Sequence, residues 1–526
     1  MKIAYVQMEV TAAKPEVNAE RILKFIDFAK ERKSELVIFP AFCISGTFAG
    51  NNFEKKSFLD DCEFFSKKIV SASSDIKIIF GGIDKTFVAE NGRIIFETAS
   101  NKIFSSEFGC KENFCVKLSA EPFFLEKDFA VEKLPIECPL ICVDSVGIQN
   151  CGKTFYTFDG MSRVCNSRGE IVEIAASHEQ GINFIDLKEI DGLPAVKLPD
   201  TSETAKIYCA LHYGVRKFLK QIGIEKVVIG ISGGIDSAVA AALYTKILGA
   251  ENVYLINMPS VFNSATTKNL SEQLAKNLGC KYFVVPIQES VDFTVKQLEG
   301  VGFEISNFVK ENIQARDRSG RILAAVAASV GGVFTCNANK AETTVGYATL
   351  YGDEAGFFCA LADLWKFQIY NLANYLNEKI YKREVIPQGI IDIVPSAELS
   401  NAQNVDEGKG DPLKYPYHDF LFRAFVEKNL TPEDILKFYA EKTLEKNIGC
   451  EIGLTEKYFS TAEDFILDLE RWWKLFTGIA AAKRLQSPPV LAVTKYAFGS
   501  FNEVQNSFYL TAEYKKLRAE LLQADK

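Results

Sequence analysis

Residues 226–238, Lys-Val-Val-Ile-Gly-Ile-Ser-Gly-Gly-Ile-Asp-Ser-Ala, constrain this chain more than any other stretch. The apolar run from Val227 to Ile231 has the length and β-branched content of a strand buried on both faces of a parallel sheet. A helical pattern begins at Ala238, so Ser232-Gly233-Gly234-Ile235-Asp236-Ser237 is a turn between strand and helix. Such a turn leaves backbone N–H groups free at the positive end of the helix dipole, a ready phosphate site. The glycines let backbone approach phosphate closely, because a Cβ would stand in the way. Asp236 adds a further demand. A carboxylate beside phosphates is repulsive unless a cation lies between them, so the loop implies a nucleotide and Mg²⁺ together.

Around this loop the pattern predicts a helix over 205–222, a strand over 227–231, a helix over 238–248, a strand over 253–257, a helix over 266–278 and a strand over 282–285. That alternation argues a doubly wound parallel sheet, with ligand at the C-terminal ends of its strands. The chain up to about Leu187 alternates strands and helices as well. Ile3 to Gln7, Leu36 to Phe39, Ile76 to Phe80 and Arg93 to Phe96 read as strands, and Glu16 to Arg32 carries the apolar stripe Ile22, Phe25, Ile26, Phe28 of an amphipathic helix. Between the halves, residues 188–204, with Gly192, Pro194, Pro199 and Asp200-Thr201-Ser202, read as a linker ending in a helix cap. Two α/β domains are expected, over 1–190 and 200–526.

Charge and composition exclude several classes. A net charge of −8 with scattered Lys and Arg gives no footprint for nucleic acid. No apolar run approaches membrane-spanning length, and Met1 to Gln7 has a strand pattern rather than a signal-peptide core. Thirteen cysteines without regular spacing read as reduced thiols, which points to a cytoplasmic protein. The three histidines, His178, His212 and His418, leave little for His-based zinc or triad chemistry. A zinc set of Cys110, Cys115, Cys138 and Cys142 fits the usual knuckle spacing poorly. His418 is expected to be a hydrogen-bonded structural residue, and Trp472-Trp473 to belong to the core of a late amphipathic helix.

The loop looks like the pyrophosphate loop of enzymes that adenylate a substrate and release PPi, and later segments narrow the class. Met258-Pro259-Ser260 follows the second strand, and Glu311-Asn312-Ile313-Gln314-Ala315-Arg316 lies on a polar helix with Arg318 and Arg321 after it. Asn339-Lys340-Ala341-Glu342 is followed by Gly346-Tyr347-Ala348-Thr349-Leu350-Tyr351-Gly352-Asp353, then Asp363 and Lys366, Pro395-Ser396-Ala397-Glu398-Leu399, and Lys483-Arg484 with Pro488-Pro489. Together these resemble the NAD⁺ synthetases, over nearly all of 200–500. The resemblance implies an adenine nucleotide α-hydrolase-like ATP pyrophosphatase domain that converts deamido-NAD⁺ to NAD⁺, with ATP as co-substrate and Mg²⁺ as cofactor. An acyl-adenylate forms with loss of PPi, and ammonia displaces AMP.

It also implies the site. Ser232, Gly233, Gly234, Ile235, Asp236, Ser237 and Asn337 would meet ATP, although Asn337-Ala338 stands where such enzymes commonly have Thr-Gly. Asp236 and Glu342 would hold Mg²⁺. Asn312, Gln314, Arg316, Glu342 and Lys483 would meet deamido-NAD⁺, and Asp236, Lys340 and Lys366 would act in catalysis.

Fused members of this family carry an N-terminal nitrilase-like amidase, which frees ammonia from glutamine with a Cys nucleophile, a Glu base and a Lys. Residues 3–8, 36–40, 118–123, 146–149 and 158–160 resemble that domain. Its catalytic positions do not match. Phe39-Pro40-Ala41 has alanine where the family has the Glu base, and the interval from Asn101 to Leu118 is too short for the Lys and Cys segments. Leu140-Ile141-Cys142-Val143-Asp144 looks like the nucleophile strand, but its neighbours place it one strand later.

The expected fold is therefore a truncated nitrilase-like sandwich followed by the ATP pyrophosphatase domain, with the amidase inactive and ammonia taken free or from a separate glutaminase. A homo-oligomer without membrane or nucleic-acid partners is expected. Two alternatives remain. One is a glutamine-dependent synthetase with a rearranged nucleophile such as Cys142. The other is a non-catalytic dinucleotide-binding or assembly protein.

Overall fold

The computed structural model describes residues 1–99, 104–105, 114–127, 138–198, 202–499 and 508–524. The chain divides into two compact units, Met1–Cys151 with Phe155–Phe218 and Val493–Lys495, and Gly152–Thr154 with Leu219–Ala492 and Tyr496–Lys526. Most of helix Glu203–Gln221 thus groups with the first unit. Pro199, Asp200 and Thr201 of the linker lie outside the described residues.

In the first unit a six-stranded sheet runs in the order Gly181–Asp186, Lys2–Gln7, Leu36–Ile38, Lys77–Gly81, Lys85–Glu90, Arg93–Ala99. A second sheet runs Ile171–Ile174, Arg163–Cys165, Leu140–Val143, Cys115–Leu118, Phe104–Ser105. Side chains alternate across a strand, so each buried strand of the first sheet feeds two cores. Ile3, Tyr5, Leu36 and Ile38 meet Val116, Leu118, Ile141, Val143 and Val164 of the second sheet. Ala4, Val6, Val37 and Phe39 point the other way, against Ile22 and Ile26 of helix Pro15–Glu31 and Phe58, Cys62 and Ile69 of helix Lys56–Ser71. The layers are helices, sheet, sheet.

The second unit is built on a parallel sheet in the order Lys281–Val284, Val253–Asn257, Val227–Gly230, Val333–Phe334. Val227–Gly230 is flanked on both sides, which is why its run is apolar throughout. Its C-terminal end turns directly into helix Ile235–Leu248. A helical region follows, with a core that includes Phe422, Phe425, Ile435, Phe465, Leu469 and Trp472. His418 is buried there, with Nε2 2.9 Å from the Asp468 carboxylate and its ring stacked on Phe422. Trp472 is wholly buried and Trp473 packs half-buried against the same core.

Candidate active site

Gly233 shows why the loop needs glycine. Its φ is +89°, and a Cβ there would lie 2.4 Å from the carbonyl oxygen of Thr267. Gly234 begins helix Ile235–Leu248 without any side-chain cap, so the first-turn N–H groups of this helix have no capping acceptor. Ser232 is exposed, and its Oγ accepts from the Gly234 N–H at 3.1 Å. Ser237 is buried, and its Oγ donates to the Gly234 carbonyl at 3.1 Å. The Ile235 side chain belongs to the core, so this residue can offer the site only its backbone.

Asp236, in the first turn, is the hub. Its Oδ1 accepts from Asn339 Nδ2 at 3.0 Å, and its Oδ2 lies 2.6 Å from Lys366 Nζ. Lys366 opens helix Lys366–Tyr375, is buried, and also lies 3.4 Å from Glu342 Oε1. Glu342, on helix Lys340–Val345, accepts from the Tyr415 hydroxyl at 3.0 Å. Burial pushes the Glu342 carboxyl up to about 7, with Lys366 opposing. Burial pulls the Lys366 ammonium down, but Asp236 and Glu342 hold it well above the ordinary lysine range. A cation thus sits between two carboxylates. These hard oxygen donors suit Mg²⁺, which takes one or two carboxylates and completes its shell with phosphate oxygens and water. Among the described residues no group of three or more His, Cys, Asp or Glu forms a metal cluster, so phosphate and water would supply the remaining ligands.

Two further carboxyls face this centre. Burial raises Asp411 to about 6 and Asp419 to about 7. Asp419 Oδ2 accepts from the Phe367 N–H, whereas its buried Oδ1 has no partner among the described residues. Its folded pKa lies above its unfolded value, so the folded state holds an extra proton, and stability is lost as pH rises toward 7. Asp419→Asn is therefore expected to raise the melting temperature, and more at pH 8 than at pH 5. An equal shift at both pH values in thermal unfolding would contradict that assignment.

The other expected residues take different places. Lys340 is 0% exposed, with Nζ 2.7 Å from Asp363 and 3.5 Å from Glu427, and does not join the Asp236 centre through any of these contacts. Asn337 is half-buried, and its Oδ1 accepts from the Thr335 hydroxyl. Positions i and i+2 of a helix do not share a face, and helix Asn307–Arg316 accordingly splits its trio. Asn312 donates to the Phe308 carbonyl and Arg316 to the Leu350 carbonyl, whereas Gln314 turns inward and donates to the Leu399 carbonyl. Lys483 donates to the carbonyls of Gly346 and Ala348. Sequence reasoning gave no role to Asn339, Tyr415, Asp411, Asp419 or Glu354. Asn339 opens the motif Asn339-Lys340-Ala341-Glu342 and carries a readable signal, as a helix N-cap whose Oδ1 accepts from the Glu342 N–H. The rest are brought in by tertiary packing.

In the first unit Ala41 is wholly buried, and its N–H donates to the Ser119 carbonyl. Burial pushes the thiols of Cys43 and Cys115 up to about 12 and that of Cys142 up to about 11, far from the thiolate a nucleophile needs. Cys110 and most of the interval from Asn101 to Leu118 lie outside the described residues.

The glycine loop at the end of a central parallel strand, opposite an Asp–Lys–Glu centre, defines a nucleotide-binding α/β domain of the ATP pyrophosphatase class. Residues 207–453 match the family model described as NAD synthase. The glutamine-dependent NAD⁺ synthetase of Synechocystis is 33% identical over 400 residues, covering 74% of this chain and 65% of that protein. The match therefore spans slightly under two thirds of that relative. The glutamine-dependent NAD⁺ synthetase of Thermotoga maritima is 27% identical, covering 84% of this chain and 92% of its own. The crystal structure of a glutamine-dependent NAD⁺ synthetase from Cytophaga hutchinsonii shares the fold over 99% of both chains, at 15% identity and a TM-score of 0.77. Residues 207–453 thus carry a NAD synthase domain, and the relatives that the chain resembles over most of its length are named NAD⁺ synthetases, ligases that form a carbon–nitrogen bond.

Proposed function

We propose that this protein makes NAD⁺ from deamido-NAD⁺, ATP and a nitrogen donor, through an acyl-adenylate with loss of PPi and then AMP. The observation that carries this reading is the Asp236–Lys366–Glu342 centre beside the uncapped helix N-terminus. In it, the N–H groups of 233–237 would hold the leaving PPi, and Lys366 would offset negative charge developing on phosphate. Asp236 and Glu342 would hold Mg²⁺, which when bound neutralises the phosphates. Asn312, Arg316 and Lys483 would meet the dinucleotide, Gln314 and Lys340 supporting from the interior. In domain terms, residues 1–190 are read as the nitrilase-like part and 200–526 as the ligase.

For the nitrogen source, the likeness to glutamine-dependent NAD⁺ synthetases favours glutamine over the free ammonia that the sequence suggests. One observation favours ammonia. Ala41 cannot accept a proton, and the buried thiols of Cys43, Cys115 and Cys142 are held protonated. A homo-oligomer is supported by apolar side chains left exposed on the second unit, among them Phe283 and Val284 on an edge strand, Phe293, Phe303 and Phe308. The protein would act in the cytoplasm, without membrane or nucleic-acid partners. Among the described residues no helix is long and apolar enough to cross a membrane.

The test is NAD⁺ formation by the purified protein with deamido-NAD⁺, ATP and Mg²⁺, supplied with ammonium or with glutamine, alongside its sedimentation. Product is expected with ammonium. Product with glutamine alone would establish an amidase in the first unit. No product with either would move the non-catalytic binding protein to the front, and sedimentation as a monomer would remove the oligomer.

A further inference from the structure

Glu354 is a buried acid that the fold leaves unanswered. It is 6% exposed, and among the described residues neither carboxylate oxygen has a hydrogen-bond donor. It lies in the segment between helix Lys340–Val345, which carries Glu342, and helix Lys366–Tyr375. That loop is fixed. Lys483 donates to the carbonyls of Gly346 and Ala348, Asp353 Oδ1 accepts from the Thr349 N–H, and the Cys336 thiol lies against the Asp353 carbonyl.

The charged groups facing Glu354 are Asp353 beside it, Glu342 on its helix, Lys483 and Arg484 on helix Ile479–Gln486, and the buried thiol of Cys336. Both cations are committed elsewhere, Lys483 to its two carbonyls and Arg484 to the carbonyls of Thr344 and Phe476. Burial pushes the Glu354 carboxyl up to about 7, Asp353 adds to the rise, and Lys483 opposes it.

A buried carboxylate without donors is costly, and such costs persist at sites that await a ligand. What would answer two open acceptor oxygens is a small cation rich in N–H donors. The proposed reaction brings one such co-substrate, ammonium. Ammonium has no lone pair and cannot attack a carbonyl until it loses a proton.

We propose that Glu354 receives the ammonium co-substrate and takes one of its protons; this rests on the NAD⁺ synthesis reading. The freed lone pair of nitrogen forms the C–N bond to the acyl carbon. AMP leaves with the electron pair of the broken C–O bond, and the second proton passes from the added nitrogen to water. A base titrating near neutrality has suitable strength for the first transfer.

Glu354→Gln keeps the shape and removes the base. The expected result is a fall of about a hundredfold in kcat/KM for ammonium at pH 7. ATP–PPi exchange with deamido-NAD⁺, which precedes nitrogen entry, should change by less than about threefold. Hydroxylamine, already neutral at pH 7, should restore turnover of the variant to near the wild-type rate. The wild-type pH profile for ammonium should level off above about 7, and that of the variant should keep rising with free ammonia. Equal losses with ammonium and hydroxylamine, or a parallel loss of exchange, would overturn the proposal. A second readout needs no turnover. Ammonium chloride should raise the melting temperature above that in sodium chloride of equal strength for the wild type and not for the variant. If the wild type exchanges no PPi, the NAD⁺ synthesis reading falls, and an absent ammonium-specific shift would separately sink the role of Glu354.

Discussion

Asp236→Asn is expected to lower ATP-dependent PPi release about a thousandfold, an effect of roughly 4 kcal/mol on the transition state. The size follows from what Asp236 touches. One oxygen is tied to Asn339 and the other to Lys366, so the side chain links the helix after the glycine loop to two later helices. The substitution keeps the shape and removes the charge. An amide in place of Oδ2 would either turn N–H groups toward the Lys366 ammonium or give up the Asn339 bond. Lys366 would then have Glu342 as its remaining acidic partner within 4 Å, and the phosphates would lose one of the two carboxylates that suit Mg²⁺. Both defects act before nitrogen enters, so ammonium and glutamine assays should fall together. PPi release within about fivefold of wild type would show that the carboxylate serves the fold and not the phosphates.

The contrast between Asp236 and its neighbours also marks how far the sequence could be read. The glycine loop, its strand and its helix were legible because local chemistry alone dictates them. A strand buried on both faces must be apolar, and a turn with Cβ-to-backbone clearance of 2.4 Å must be glycine. The strands of the first unit were legible from their apolar runs, whereas its two-sheet sandwich, with a core on each side of the first sheet, rested on the resemblance to the nitrilase-like amidases. Direction of side chains was not. Asn312, Gln314 and Arg316 look equivalent as a polar run, but the helix turns Gln314 inward. Tyr415, Asp411 and Asp419 reach the centre from a segment about seventy residues beyond Glu342, and nothing in their local sequence announces it. Glu354 was passed over for a related reason. An acid following Asp353 in a loop reads as solvated, and only packing buries it without a donor among the described residues.

Lys340→Met is expected to act through stability instead of chemistry, and by a large margin. Lys340 follows Asn339 in sequence, and the resemblance to the NAD⁺ synthetases gives it a role in catalysis. The helix places it on the opposite side of that argument: 0% exposed, 2.7 Å from Asp363, which is itself 1% exposed, and 3.5 Å from Glu427. Glu427 has other support, from Arg423 at 2.6 Å and the Trp365 indole N–H at 2.7 Å. Removing the ammonium therefore takes from the buried Asp363 carboxylate its lysine counter-charge, at a cost of about 3–5 kcal/mol. In a unit of this size that corresponds to a drop of roughly 10 °C in melting temperature. Replacing both partners with apolar side chains, Lys340→Met with Asp363→Leu, should recover most of the loss, because the buried carboxylate goes together with its counter-charge. At a temperature where the single variant is still folded, its PPi release should stay within about tenfold of wild type. A variant that melts like the wild type but releases no PPi would return Lys340 to the chemistry, and would mean that its ammonium leaves Asp363 when nucleotide binds.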